Sequence, residues 1–243
     1  MVPDQAAQNS DTKRAGLNRS GIRGIAVQSI LIVIGIAILF ASAGTLVWIN
    51  GWIYVGLVII YHIVSTVVLA RVNPELLNER GTVIKAGTKT FDKVWVAIVP
   101  IFTFGNLVIM GFDAVRYQWS AMPFWLTYVG IFMFVFAVPI ATWAMAVNKF
   151  FEWTVRIQDD RQQYVCTSGP YRTIRHPGYI GLIVSLLAYP FILGSWWGFL
   201  PNIVLSLIIV VRTALEDRTL QKELPGYVEY AQKVKYRLVP FIW

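Results

Sequence analysis

The sequence reads as an all-α, polytopic membrane helix bundle of about six transmembrane helices with a polar C-terminal region on the cytoplasmic side. Three observations carry that reading. Only 14% of the 243 residues are charged while 56% are hydrophobic, against about a quarter charged in an ordinary soluble domain. Four blocks, 24–70, 94–112, 117–148 and 176–211, contain no Lys, Arg, Asp or Glu. Each is long enough for one or two crossings, at roughly 20 apolar residues per span. Finally, 20 of the 21 basic residues fall in segments that alternate crossings would place on one face, with Arg116 alone on the other. By the positive-inside rule that face is cytoplasmic, and both termini lie there.

Taken in order, the spans are expected at 24–48, 51–70, 94–112, 122–147, 178–194 and 198–214. The first follows a polar, basic stretch (Lys13, Arg14, Arg19, Arg23) that resembles the start of a secretory signal. Its apolar run to Ile49 exceeds the 7–15 residues or so of a signal's core, so a retained span is expected. Residues 1–23 lack apolar periodicity and are expected to be a disordered cytoplasmic N-terminus. Residues 24–147 are expected to form a four-helix membrane region, and 148–243 a region made of a loop, a helix hairpin and a C-terminal helix. Trp48, Trp52, Trp119, Trp125, Trp196 and Trp197 fall near the outer ends of spans, where indole rings favour the interface. Pro100, Pro139 and Pro190 interrupt three spans, and the carbonyls they free need partners from neighbouring helices. The fifth span has an uninterrupted apolar core of only 15 residues, Tyr179–Leu193, or about 22 Å against a hydrocarbon thickness of about 30 Å. Either the bilayer thins there or the hairpin is sheltered by protein. Asn73 followed by Pro74 in NPELLNER is a helix start.

Several chemistries are excluded. A single cysteine, Cys166, builds no disulfide framework or thiolate cage, and two histidines 114 residues apart have no metal-ligand spacing. No dinucleotide fingerprint or phosphate-binding loop is present. The net charge of +8 is mostly a topology signal that also attracts anionic headgroups. It does not mark a nucleic-acid binder. Membrane lipids are therefore the expected surroundings.

Polar residues concentrate in 148–177 and 212–243, on either side of the short hairpin, so folding that hairpin brings them together. Ser168-Gly169-Pro170 is a turn, and Pro177 suits the first position of a helix whose N-terminus would direct free amides at Arg175 and His176. Membrane anchoring by Arg175 explains this stretch equally well when it is taken alone. Arg212, Glu216 and Leu220 share one helix face, with Asp217 beside them. Charges so near a span are costly unless paired or facing a wet cavity. An Arg212–Glu216 pair is one way out. A site with a cationic and an acidic side, suited to a zwitterionic amino-acid moiety, is the other. His62 within the second span, and likewise Asn106 and Asn148, are read as packing residues.

The order S-G-P-Y-R-x-x-R-H-P-x-Y-x-G (168–181), some 30 apolar residues, R-x-x-x-E-D-x-x-L (212–220), the Gly226-Tyr227 and Tyr230 stretch, and R-L-V-P (237–240) resembles the isoprenylcysteine carboxyl methyltransferase and phospholipid methyltransferase superfamily. The resemblance spans 148–243, about two fifths of the chain, and NPELLNER at 73–80 is similar to a loop of bacterial members. It implies S-adenosylmethionine as methyl donor, bound from the cytoplasm by the last two spans and their connectors. It places the donor-binding residues at Gly169, Pro170, Tyr171, His176, Pro177, Tyr179, Gly181, Arg212, Glu216 and Asp217, with Arg175 and Glu216 as catalytic residues. The family's acidic pair is usually Glu-Glu, so Asp217 is the departure and Glu216 the stronger candidate. On this reading His176 and the fifth span's N-terminus hold the donor carboxylate, Glu216 its ammonium, and Arg175 orients the acceptor. The expected acceptor is lipophilic or membrane-embedded: a prenylated cysteine carboxylate, a phospholipid amine, an isoprenoid-like small molecule or a small thiol. An NADPH-dependent reductase of the sterol or steroid type, whose C-terminal part carries a similar R-H-P-x-Y-x-G, and a non-catalytic membrane scaffold are the alternatives.

Overall fold

A computed structural model describes residues 16–243; the predicted N-terminal disorder and the basic residues Lys13 and Arg14 lie largely or wholly outside them. Eight α-helices account for most of the described chain: α1 (Arg19–Ala43), α2 (Ile49–Val72), α3 (Pro74–Glu79), α4 (Thr90–Gly111), α5 (Trp125–Val147), α6 (Pro177–Leu193), α7 (Phe199–Glu223) and α8 (Tyr227–Lys233). Among the described residues there is no sheet, only a single parallel bridge between Ile174 and Tyr236. Five helices, α1, α2, α4 with its π-helical extension Phe112–Arg116, α5 and α7, are long and apolar enough to cross a membrane. With the shorter α6 they make the expected bundle, and the chain is an integral, multi-pass membrane protein. Apolar side chains such as Val33, Ile101, Phe132 and Leu207 point outward along the helices, as a lipid solvent permits.

Local signals set the helix ends. α1 starts at Arg19, five residues before the predicted boundary, because the Asn18 side chain accepts the Gly21 amide as an N-cap. It stops at Ala43 because Gly44 takes a left-handed conformation (φ 75°) and returns its N–H to Phe40. α7 runs nine residues past the predicted end, carrying Arg212, Glu216 and Asp217 on continuous helix until Leu224-Pro225. α3 opens as read from Asn73-Pro74, the Asn73 side chain accepting the Leu76 amide.

The short α6 is sheltered by protein. It packs along α5 and also touches α2, α4 and α7. Small residues allow the approach. A Cβ on Gly181 would lie 2.8 Å from the Ala137 carbonyl oxygen, and one on Gly130 equally close to that of Ala188. At Pro190 the i−4 carbonyl, Leu186 O, loses its helical donor. Asn202 of α7 supplies one, Nδ2 to O at 2.7 Å, while its own Oδ1 accepts from Asn106 of α4. Asn106, read as a packing residue, thus joins Asn202 in tying three helices at a proline kink. Asn202→Ala is expected to cost about 1–2 kcal/mol by leaving that carbonyl and Asn106 unpaired. Thermal unfolding in detergent reads the effect, and an unchanged midpoint would contradict it.

The connectors 73–89 and 148–176, the polar end of α7, α8 and the C-terminal tail gather at one end of the bundle, called here the polar end. The exposed Trp52, Trp119, Trp125, Trp196 and Trp197 lie at the other.

Candidate functional site

At the polar end, the loop before α6 meets the C-terminal tail. The Arg175 and His176 amides donate to the carbonyls of Tyr236 and Arg237, each at 3.0 Å. The Tyr179 amide bonds back to the His176 carbonyl. The α6 N-terminus therefore does not present a row of free amides: Pro177 carries no N–H, the Tyr179 amide is taken by the His176 carbonyl, and the tail at Tyr236–Arg237 takes the amides of Arg175 and His176 themselves. Gly178 alone of the first turn's glycines and amide donors lines the adjoining cleft without such a loop bond.

The loop is held by one carboxylate. Asp217 is fully buried. Its Oδ1 lies 3.3 Å from His176 Nε2 and accepts from the Tyr227 hydroxyl at 3.0 Å, while its Oδ2 accepts from Arg237 Nε at 2.9 Å and Gln221 Nε2 at 2.7 Å. Arg175 Nε lies 3.3 Å from the same Oδ1 without hydrogen-bond geometry, and that buried nitrogen has no other partner. Burial, reinforced by the Asp217 charge, raises the Tyr227 phenol above its ordinary value, and burial does the same for Tyr171 and Tyr230. All three stay neutral at physiological pH, with Tyr227 and Tyr230 donating. Tyr230 donates to the Tyr171 carbonyl at 2.7 Å, binding α8 to the same loop.

Glu216, one residue away on α7, points the other way. Its side chain is 21% exposed and faces the cleft. Its carboxylate accepts from the Tyr179 hydroxyl, which in turn accepts from Arg212 Nη1. Arg212 does not rely on Glu216, 3.8 Å away. It makes a two-pronged pair with Asp92 of α4, Nε–Oδ1 at 2.7 Å and Nη2–Oδ2 at 2.8 Å, entirely out of solvent. Asp92 also accepts the Val155 amide. A chain of contacts, Asp92–Arg212–Tyr179–Glu216, runs from α4 to the cleft.

Two cavities meet at this chain. The cleft at the polar end has about 770 Å³ of empty space, open mouth included, with Asn148, Tyr171, Arg175, His176, Glu216 and Tyr227 among its lining. Asn148 donates to the Tyr171 hydroxyl at 3.1 Å. Beside it, within the bundle, is a larger and mostly apolar cavity of about 1380 Å³ on the same measure, bounded by α1 to α6 and by Arg212 of α7. Phe151, Glu152, Gly178, Tyr179 and Arg212 line both.

Of the residues singled out from the sequence, Tyr171, Arg175, His176, Tyr179, Arg212 and Glu216 line the cleft together. Gly169, Pro170, Pro177, Gly181 and Asp217 do not. Gly169 adopts φ 56° against Trp143, where a Cβ would sit 3.0 Å from the indole nitrogen, and Pro170 and Pro177 open the short 3-10 turn and α6. Gly181 lets α6 approach α5, and Asp217 supports the wall from behind. Arg175, expected to orient an acceptor, faces the cleft and not the inner cavity, because Asp217 and the tail hold it there. His62 lines the inner cavity and pairs with Ser29 Oγ at 2.9 Å rather than with a backbone carbonyl. Sequence reading missed Asp92, Arg237, Tyr227, Glu152 and Asn148. Arg237 and Tyr227 stood within quoted motifs; for Asp92 the available signal was a charge at the mouth of a span that needs a partner.

No curated protein matches the chain. A sequence model of the phospholipid methyltransferase family matches residues 125–225, from the start of α5 through α6 and α7. That stretch includes the R-H-P loop, the tight α5–α6 packing and the Arg212–Glu216–Asp217 helix face. Over residues 125–225 this multi-pass membrane protein is thus similar to the phospholipid methyltransferase family, part of the wider superfamily of isoprenylcysteine carboxyl methyltransferase-like membrane methyltransferases.

Proposed function

We propose that the protein transfers a methyl group from S-adenosylmethionine, bound in the polar cleft, to a lipophilic acceptor that reaches the inner cavity from the membrane. One observation supports this above the others: the polar cleft and the apolar cavity share a wall at Gly178, Tyr179 and Arg212. A water-borne donor and a lipid-borne acceptor would meet there without either crossing the other's solvent. The basic residues of the polar end make it the cytoplasmic end on the positive-inside rule.

The cleft suits the donor's chemistry. Its amino-acid moiety carries an ammonium and a carboxylate, and the lining carries Glu216 on one side and Arg175 with His176 on the other. The outer part of the Arg175 guanidinium and the Gly178 amide would take the carboxylate. Glu216 would take the ammonium, and Tyr171 and Tyr227 offer aromatic surface. When bound, the donor supplies an electrophilic methyl on a sulfonium, transferred by in-line displacement with the bond pair left on sulfur. The protein's share is alignment within near-attack distance and exclusion of water. Tyr179 is placed for this, its hydroxyl fixed between Arg212 and Glu216. An acceptor carboxylate or thiolate needs no proton removed, whereas an amine or hydroxyl does. Glu152, the carboxylate on the shared wall, is already engaged by Lys85, Arg156 and Arg161.

The test is transfer of labelled methyl from S-adenosylmethionine into a membrane lipid extract by the purified protein, followed by identification of the labelled product. Label in the organic phase is expected. Absence of any transfer, with NADPH consumed instead, would point to the reductase chemistry considered above.

A further inference from the structure

We infer that the acceptor is an anionic amphiphile, its tail in the inner cavity and its negative group held by Arg80. This rests on the reading that the inner cavity takes the acceptor, and narrows it. Arg80 closes α3 and lines that cavity. Its guanidinium stacks over Trp153 at 4.4 Å and Phe151 at 5.3 Å, and Nε donates to the Phe151 carbonyl at 3.1 Å. The remaining N–H groups of the fork have no hydrogen-bond acceptor among the described residues, and no carboxylate lies within 4.0 Å.

Its neighbours differ. Lys85, Arg156, Arg161 and Arg212 each have an acidic partner. The acid on the shared wall, Glu152, lies 3.1 Å from Lys85, 3.1 Å from Arg156 and 3.5 Å from Arg161, so its charge is already committed. Among the described residues, Arg80 is the one arginine or lysine lining the inner cavity that has no carboxylate within 4.0 Å; Glu152, the nearest charge acting on it, is shared by three other cations. Burial lowers its guanidinium to about 10, which leaves it charged at neutral pH. An unpaired charge in a low-dielectric cavity is costly, and a ligand anion removes that cost. The planar fork matches a carboxylate or a phosphate. Apolar walls from Ile25, Leu69, Val99, Val138 and Leu182 then accommodate a hydrocarbon tail. Trp153 and Phe151 under the guanidinium are contiguous in sequence with Glu152 on the shared wall, so an anion on Arg80 sits close to where the methyl is transferred.

The test uses four ligands with one tail, hexadecanoate, hexadecyl phosphate, hexadecanol and hexadecyltrimethylammonium, binding to the full chain in maltoside micelles. In the wild type at least one anion is expected to bind about tenfold or more tighter than the alcohol, and the cation most weakly. Comparing the two anions tells a carboxylate acceptor from a phosphate one. Arg80→Gln is expected to bring the anions within about twofold of the alcohol, with alcohol binding and S-adenosylmethionine binding unchanged. Arg80→Lys, which keeps the charge, should hold part of the preference. Equal affinity of the wild type for anion and alcohol overturns the inference whatever the variants do, as does an anion preference that survives Arg80→Gln. If the wild type binds none of the four, the acceptor cavity itself is wrong and both readings fall.

Discussion

Asp217→Leu is expected to destabilise the protein by about 3–5 kcal/mol, the range seen when one partner of a buried ion pair is removed. The carboxylate is wholly buried and is approached by Arg175, His176, Tyr227, Gln221 and Arg237. Leucine is of similar size but leaves Arg175, itself only 7% exposed, without the negative charge that offsets its desolvation. It also frees Arg237, and with it the tail whose carbonyls hold the Arg175 and His176 amides. The loop before α6 should then loosen, so thermal unfolding in detergent should show a large fall in midpoint together with proteolysis of the C-terminal tail. Asp217→Asn should lie between, since an amide still accepts from Tyr227 but carries no charge. A leucine variant as stable as the wild type would contradict the view that Asp217 supports the wall.

Glu216→Gln is expected to behave in the opposite way, with stability within about 1 kcal/mol of wild type and methyl transfer down by about 10- to 100-fold. The residue is next to Asp217 in sequence but faces the cleft, and its side chain is partly solvated. Glutamine keeps an oxygen for the Tyr179 hydroxyl, so the packing survives. What would be lost is the proposed charge-assisted bond to the donor's ammonium, worth about 1.5–3 kcal/mol, or roughly one to two decades in binding. Tyr179→Phe tests the same wall from the other side, since it removes the hydroxyl between Arg212 and Glu216. Arg212 keeps its two bonds to Asp92 in that variant. A Glu216→Gln enzyme with undiminished transfer would remove Glu216 from the donor site.

The contrast between these neighbours shows where sequence reading reached and where it stopped. Six hydrophobic segments, the weak fifth span and the facing polar segments are legible because composition and period are local properties. So is the helix start at Asn73-Pro74. The helix ends at Gly44 and Leu224 were misplaced because hydropathy does not register a left-handed glycine, nor a helix that continues as a polar one beyond the apolar run. Within the site, motif order identified which residues matter but not which way they face. Glu216 and Asp217 are adjacent on one helix and about 100° apart around its axis, so one lines the cleft and the other is buried behind it. Whether Arg212 pairs with Glu216 or with Asp92, 120 positions away, is decided by how α4 packs on α7, which no local pattern records. The C-terminal tail is similar: its R-L-V-P residues are recognisable, but its role lies in two backbone bonds, from Arg175 to Tyr236 just before the motif and from His176 to Arg237.

The fold therefore separates two tasks. Asp217, Arg237 and the tail hold the R-H-P loop, and Asp92 holds Arg212, so that Glu216, Tyr179 and Arg175 face the cleft at fixed positions. The most direct test is calorimetric titration of S-adenosylmethionine, its demethylated product and NADPH into the purified wild type and Glu216→Gln protein. Saturable binding of the first two to the wild type, weakened about tenfold or more in the variant, and no binding of NADPH is the expected result. NADPH binding without S-adenosylmethionine binding, or donor binding indifferent to Glu216, is the result that contradicts it.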